Sequence, residues 1–334
     1  MNTNMKIIKR ILIGILVFCI LVVCVILVFF KYLEYRNTHY YNYATIGGPI
    51  EEKFTVLGEY DTSYVEFDAS NETYKKFEIW YPTELETSSY LYPLVVMANG
   101  TGIKASQYKE VFQHLASWGF IVIGNEDANS RTGLSSSDSL DYMLAHNNDK
   151  KSVFYSKLDV NKIGIGGHSQ GGVGAINAVT NQRNGVHYKA LYTASATSPY
   201  WGQKNIFGLE WSYDVSKINI PYFMVAGTGF ADAGTARDIT ATDGQGICPL
   251  WGMEEIYGDL PTSISKVMAR QVDKDHGDML RSADAYMTAW FMYWLKGDLQ
   301  ASQIFFGEDA EILENANWED VKTTNIMPSQ ITLK

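Results

Sequence analysis

Cysteine is scarce in this chain of 334 residues, which has three. Cys19 and Cys24 lie inside one apolar run near the N-terminus and Cys248 stands alone in the rest, so no intramolecular disulfide can staple the body. A body of about 300 residues needs none, because folding already buries roughly three-quarters of its unfolded surface. Charge is sparse too, at 19% against 46% apolar residues. That composition excludes disorder, collagen and coiled coil and points to one well-filled core. Positive charge is in deficit, with 27 Lys and Arg against 37 Asp and Glu for a net charge of −10. A phosphate backbone therefore finds no electrostatic footprint, and nucleic acid is not expected as a partner. No His, Cys and Asp cluster has zinc spacing, no glycine loop carries the lysine that phosphate binding requires, and no internal repeat occurs. Neither metal nor cofactor is implied.

One stretch lacks charge altogether. Ile11 to Phe30 are 20 uncharged residues, which as a helix reach about 30 Å, one hydrocarbon thickness. Phe29, Phe30, Lys31 and Tyr32 stand where a signal peptide would place small residues for cleavage, so an uncleaved anchor is expected over residues 11–30. Val22 and Val23 are too bulky for a lipoprotein site at Cys24. Lys6, Lys9, Arg10 and the α-amino group precede the run, whereas Lys31, Arg36 and Glu34 follow it. The positive-inside bias then leaves residues 1–10 in the cytoplasm and the rest on the extracytoplasmic side of the cell membrane, as a single-pass protein. Those first 36 residues hold five of the basic groups and one of the acidic groups, so the remainder carries 22 basic and 36 acidic groups. Residues 31–50, rich in tyrosine and closed by Gly47, Gly48 and Pro49, read as a linker, and 51–334 as one folded domain.

Within that domain short β-rich runs alternate with longer helical patterns, the signature of an α/β fold. Strands are expected at Phe54 to Leu57, Tyr64 to Phe67 and Phe77 to Tyr81, antiparallel because their links are too short for helices. The alternation follows: strand Leu94 to Ala98, helix Tyr108 to Trp118, strand Phe120 to Ile123, helix Leu140 to His146, strand Lys162 to Ile165, helix Gly172 to Val179. Strands Leu191 to Ala194, Tyr222 to Ala226 and Val267 to Val272 come next, and a helix from Met279 to Leu295 closes the pattern. Continuous apolar strands such as Val95 to Ala98 suit a mainly parallel sheet covered by helices on both faces.

The chemistry is concentrated at Gly167, His168, Ser169, Gln170 and Gly171, a G-x-S-x-G pentapeptide between a strand and a helix. A nucleophile there occupies a sharp turn, where side chains two positions away would collide with the neighbouring strand and helix. Ser169 is the expected nucleophile, and a serine hydroxyl needs a base to remove its proton. Of the six histidines, His39 lies in the linker, His114 within a helix, His146 at a helix end and His187 in a polar loop, while His168 adjoins the nucleophile and points elsewhere. His276, in the loop before the final helix, stands where the order Ser, acid, His puts the base. The acid should follow the strand Tyr222 to Ala226, which selects Asp232, with Asp238 beside Arg237 as the alternative. A tetrahedral intermediate needs two donors for its oxyanion. The backbone N–H of Gln170 and that of Thr101, in the loop Asn99, Gly100, Thr101, Gly102, are the candidates. Cys248 stands in no comparable turn and is not expected to be a nucleophile.

These segments resemble the α/β-hydrolases of the cutinase-like polyester hydrolase and chlorophyllase group, including the PET hydrolases. The likeness runs from Phe77 to Asp298 through PLVVMANGTG, LASWGFIVI, SLDYML, DVNKIGIGGHSQGG, INIPYFMVAGTGFAD, LPTSISKVMARQVDKDHGDM and AWFMYWLKGD. The resemblance implies an α/β-hydrolase fold and a carboxylic ester hydrolase acting through Ser169, Asp232 and His276, with Thr101 and Gln170 holding the oxyanion. Three features depart from the group: Thr101 follows the glycine where an aromatic is usual, Gln170 replaces a frequent methionine, and the cysteine pair of secreted members is absent. The first two make a more polar cleft. A serine peptidase on the same fold and a non-catalytic tethered binding module are the rival readings.

Substrate is read from aromatic residues in loops at the carboxyl edge of the sheet. Trp201, Trp211, Trp251 and Phe230 are expected to wall an apolar acyl pocket, with residues 199–211 and 233–260 as possible cap pieces. A small-molecule or lipid-like ester with a short to medium acyl chain is the expected partner, besides the membrane itself.

Overall fold

The computed structural model describes residues 2–325 and divides the chain into two units that part between Tyr43 and Ala44. The first unit is a single long helix, α1 (Asn2–Thr38), followed by a 3₁₀ turn at Tyr40–Tyr43. From Ile7 to Thr38 it is long and apolar enough to cross a membrane, and none of its most apolar window is buried. The helix continues past Phe30, so the first part of the expected linker is helical.

The second unit is built on one nine-stranded sheet: β1 (Thr62–Asp68), β2 (Lys76–Pro82), β3 (Tyr92–Ala98), β4 (Ile121–Asn125), β5 (Leu158–His168), β6 (Tyr188–Ala194), β7 (Tyr222–Gly227), β8 (Lys266–Gln271) and β9 (Trp318–Thr324). Their order is β1-β2-β4-β3-β5-β6-β7-β8-β9. The six central strands run parallel; at the edges β2 and β9 run against them, and β1, paired antiparallel with β2, runs with them again. Every residue of β3 is buried, as a strand covered on both faces requires.

The helices that matter for the site are α2 (Pro49–Thr55), α3 (Lys109–Ser117), α4 (Leu134–Asn148), α5 (Gln170–Asn181), α6 (Phe230–Ala233), α7 (Leu250–Asp259), α8 (Met279–Ser282) and α9 (Asp284–Lys296). Alternation along β5 shows how the two faces are filled. Ile163 and Ile165 join one cluster with Leu140 and Met143 of α4, Ala175 and Ile176 of α5, and Ile256 of α7. Gly164 between them faces the other way, where a Cβ would come within 2.7 Å of the Phe291 ring of α9.

Two expected elements are corrected. Phe54 to Leu57 is not a strand: Phe54 and Thr55 end α2, whose Pro49 and acidic first turn favour a helix start. Phe54 is wholly buried against Trp118, with ring centroids 4.9 Å apart, while Val56 and Leu57 are exposed. The single helix expected from Met279 to Leu295 is two, α8 and α9, broken at Ala283. Gln271 Nε2 donates to the Ser282 carbonyl at 3.1 Å beside that break. Strand β9 and helix α7 were not anticipated.

Beneath α9 lies a sealed ion pair. His114 Nδ1 is 2.8 Å from Asp284 Oδ2, and both side chains are almost wholly buried. His114 Nε2 points at the carbonyls of Thr55 and Val56, at 3.1 and 3.0 Å. Burial opposes a charged imidazole, but the Asp284 carboxylate and the two carbonyls outweigh it and raise the His114 pKa above its ordinary value.

Candidate active site

The ends of five strands, β3, β5, β6, β7 and β8, converge at the carboxyl edge of the sheet, where an open α/β sheet offers its ligand crevice. Ser169 sits between the end of β5 and the start of α5 with φ 58° and ψ −125°, a conformation that non-glycine residues rarely adopt. The turn is possible because its flanks are glycines. A Cβ on Gly167 would lie 2.1 Å from the Gly171 carbonyl oxygen, and one on Gly171 would lie 2.2 Å from that of Ala98. The Ser169 N–H is held by the Ala194 carbonyl at 2.9 Å.

The three side chains singled out in the sequence come together. Ser169 Oγ is 2.9 Å from His276 Nε2, and His276 Nδ1 is 2.8 Å from Asp232 Oδ1. Asp232 is wholly buried in α6, just beyond β7, and His276 lies in the loop after β8. A carboxylate can only accept, so Nδ1 of a neutral His276 carries the proton and Nε2 is left to accept from the serine hydroxyl. The other carboxylate oxygen of Asp232 accepts from Ser195 Oγ at 2.5 Å and from the Gly227 N–H at 2.8 Å. Ser195 was missed in the sequence; its position one residue beyond β6, at the same sheet edge, is the signal that could have found it. Asp238 is elsewhere: it is exposed and accepts from the N–H and hydroxyl of Thr240 in its own turn.

His168 does not simply point away. Its Nε2 is 2.7 Å from the backbone oxygen of His276, and the two imidazole rings lie 4.8 Å apart. A carbonyl only accepts, so Nε2 carries the hydrogen. Burial, reinforced by the neighbouring His276, drives the His168 pKa down to about 4 and keeps the ring neutral.

The loop after β3 is anchored by buried Asn99, whose Nδ2 donates to the carbonyls of Asn125 and Asp127 at 2.7 and 2.8 Å. Within it the amides of Gly100, Gly102 and Ile103 donate to Tyr108 Oη, Ala128 O and Gly100 O. The Thr101 N–H has no acceptor among the described residues, and the Gln170 N–H opens α5, where a helix leaves its first amides unpaired.

A cleft of about 500 Å³ opens over Ser169 and His276. Gly100, Thr101, Ile103, His168, Thr197, Ile247 and an aromatic group complete its lining. Trp201 stacks on Phe207 at 4.8 Å and Phe207 meets Trp211 at 5.0 Å. The Trp201 indole N–H is tied to the Gly246 carbonyl at 3.0 Å. The expected wall is therefore corrected. Trp201 and Trp211 are in it, Trp251 and Phe230 are not, and Phe207 takes a place that the sequence did not suggest. Phe230 is 76% exposed, because in α6 it lies two residues from buried Asp232 and so on the opposite side of the turn. The Gln170 side chain is wholly buried and is not among the lining residues, so the extra polarity expected from it does not reach the wall.

A family model described as PET hydrolase-like matches residues 52–227, more than half of the chain. The chain belongs to the PET hydrolase-like family. The match holds the whole turn around Ser169 and ends at Gly227, before Asp232 and His276. Two curated cutinases are also similar to this PET hydrolase-like chain, each 27% identical over 237 residues, 67% of its length. They are cutinase 2 of Thermobifida cellulosilytica, of which the chain covers 75%, and cutinase cut1 of Thermobifida fusca, of which it covers 62%. With the mixed sheet and its flanking helices, these likenesses identify an α/β-hydrolase fold and a carboxylic ester hydrolase.

Proposed function

We propose that the protein is a membrane-anchored serine esterase that works through an acyl-enzyme, and that the unbroken line from Ser169 through His276 to Asp232 at the floor of an apolar cleft carries that reading. Ser169 Oγ attacks the ester carbonyl as His276 Nε2 takes its proton. The amides of Thr101 and Gln170 receive the negative charge that develops on the carbonyl oxygen, each worth about 3 kcal/mol of transition-state stabilisation. His276 returns the proton to the departing alcohol, and water then repeats the sequence to release the acid. Asp232 keeps the imidazole in the tautomer that accepts from serine and stabilises its cationic form. Ser195 and the Gly227 amide hold that carboxylate aimed at the imidazole.

The cleft wall favours an apolar acyl group. Trp201, Phe207, Trp211, Ile103 and Ile247 offer a dry surface, and a volume of about 500 Å³ suits a small or lipid-like ester with a short to medium acyl chain. Helix α1 holds residues 1–10 in the cytoplasm, spans the membrane over 11–30 and leaves the catalytic domain, residues 51–334, outside. A series of p-nitrophenyl esters of rising acyl length, run on the wild type and Ser169→Ala, tests the activity. Protease protection of intact cells tests the topology: the domain is digested from outside, and recovery of a mature chain cut near residue 36 replaces the anchor with a secretion signal.

A further inference from the structure

We infer that the carboxylate of Asp275 is a positioning residue that locks the loop bearing the base to the loop bearing the acid. The inference rests on the proposed roles of Ser169, His276 and Asp232. Asp275 Oδ1 accepts from the backbone N–H of Asp232 at 3.0 Å and from that of His276 at 2.8 Å, so one oxygen atom touches the main chain of both residues. Its Oδ2 accepts from the Ala231 N–H at 3.1 Å.

Shape enforces the approach. A Cβ on Gly229 would lie 2.5 Å from Asp275 Cβ, and one on Gly227 would lie 2.2 Å from the Lys274 carbonyl oxygen. The two loops are also joined by Gly229 N–H to Lys274 O at 2.8 Å and by Asp273 N–H to Thr228 Oγ1 at 3.0 Å. Asp275 is itself steadied by Asp278, whose Oδ2 accepts its N–H at 3.1 Å. Burial works against the charge on Asp275, but the three amides and the nearby imidazole hold its carboxyl below the usual range. From the opposite side His168 grips the His276 carbonyl, so the peptide units flanking the base are held at both ends. The charged groups around the imidazole are thus Asp232 and Asp275 with Asp278 behind it, while Arg281, which Glu110 pairs, acts on the adjoining His168.

The test compares Asp275→Ala and Asp275→Asn with the wild type as full chains in detergent micelles, using p-nitrophenyl butyrate, a fluorophosphonate that titrates competent sites, and amide exchange over residues 229–233. Asp275→Ala should lower kcat per titrated site about ten- to a hundredfold with KM within about twofold, the scale expected when a catalytic group is slightly misplaced. Asp275→Asn, which keeps one acceptor oxygen for Asp232 and His276, should retain more. Both should move the acid limb of kcat/KM to lower pH, because an anion beside the imidazole is removed, and the alanine variant should lose protection at Ala231 and Asp232. Wild-type kcat per site with an unmoved limb overturns the inference, as does a loss of activity wholly accounted for by fewer titratable sites. A wild type that neither reacts with the fluorophosphonate nor turns over esters sinks the esterase reading instead, and amide exchange then decides alone whether Asp275 joins the loops.

Discussion

Two imidazole–carboxylate pairs of equal length lie in this domain. In each, Nδ1 is 2.8 Å from an Asp oxygen: His276 with Asp232, and His114 with Asp284. Their second nitrogens meet opposite chemistry. His276 Nε2 faces a serine hydroxyl, which can donate, and opens onto a cleft. His114 Nε2 faces two backbone carbonyls, which only accept, so that nitrogen carries a hydrogen, and with Asp284 at Nδ1 they favour the charged ring and raise its pKa. The same pair is thus placed to act as the proposed base in one position and closed off as a buried structural pair in the other, and the partner of the far nitrogen makes the difference.

That contrast can be broken from the catalytic side first. Ser169→Ala and His276→Ala should each lower ester turnover at least about a thousandfold, with melting temperatures close to the wild type because neither side chain fills the core. Asp232→Asn should lose about a hundredfold or more through the wrong tautomer of His276, whereas Asp238→Asn should stay within about twofold, as befits an exposed turn residue. The reverse ranking would transfer the acid role to Asp238.

From the structural side, His114→Ala leaves Asp284 buried without its cation and should cost about 3 kcal/mol of stability in denaturant titration. Its kcat per folded molecule should not change. The pH dependence carries the sign. The folded pKa of His114 is raised, so its contribution is complete below the unfolded value of about 6.5 and fades as pH climbs through the folded value. Glu78, which burial and the adjacent Glu126 carboxyl push up to about 7, slopes the same way. The difference between the wild type and His114→Gln removes that common slope and should itself shrink as pH rises from about 6 to 9. The smallest effect expected lies in the cleft: kcat/KM should rise about threefold per methylene from acetate to butyrate or hexanoate. A flat series would favour a small polar acyl group.

The two pairs also mark what the sequence made legible. The pair at the cleft could be found because its constraints are local: two glycines must flank Ser169, and chain order leaves His276 after the last expected strand and Asp232 after the one before. His114 was read only as a helical histidine, since its partner stands 170 residues away on α9 and no periodicity announces it. The same limit explains the other gaps. Phe54 lies in a β-rich run, yet burial against Trp118 and the start at Pro49 made it helical. Phe230 was placed at the correct edge but not with its outward direction. Phe207 joined the wall through a stack on Trp201, and β9 was hidden because its half-exposed, charged sequence shows little apolar alternation.

That last strand has a consequence for how the chain is made. β9 pairs with β8 from Gln271 and Trp318 to Lys266 and Thr324, and β8 leads directly into the loop of the base. Translation delivers it after every other strand of the sheet, so until residues 318–324 arrive β8 presents a bare row of amides and carbonyls that any other extended segment could copy. A nascent chain stalled before that point would be a seed for cross-pairing between neighbours, and a truncation there would be lost to aggregation or quality control rather than seen as a weak enzyme.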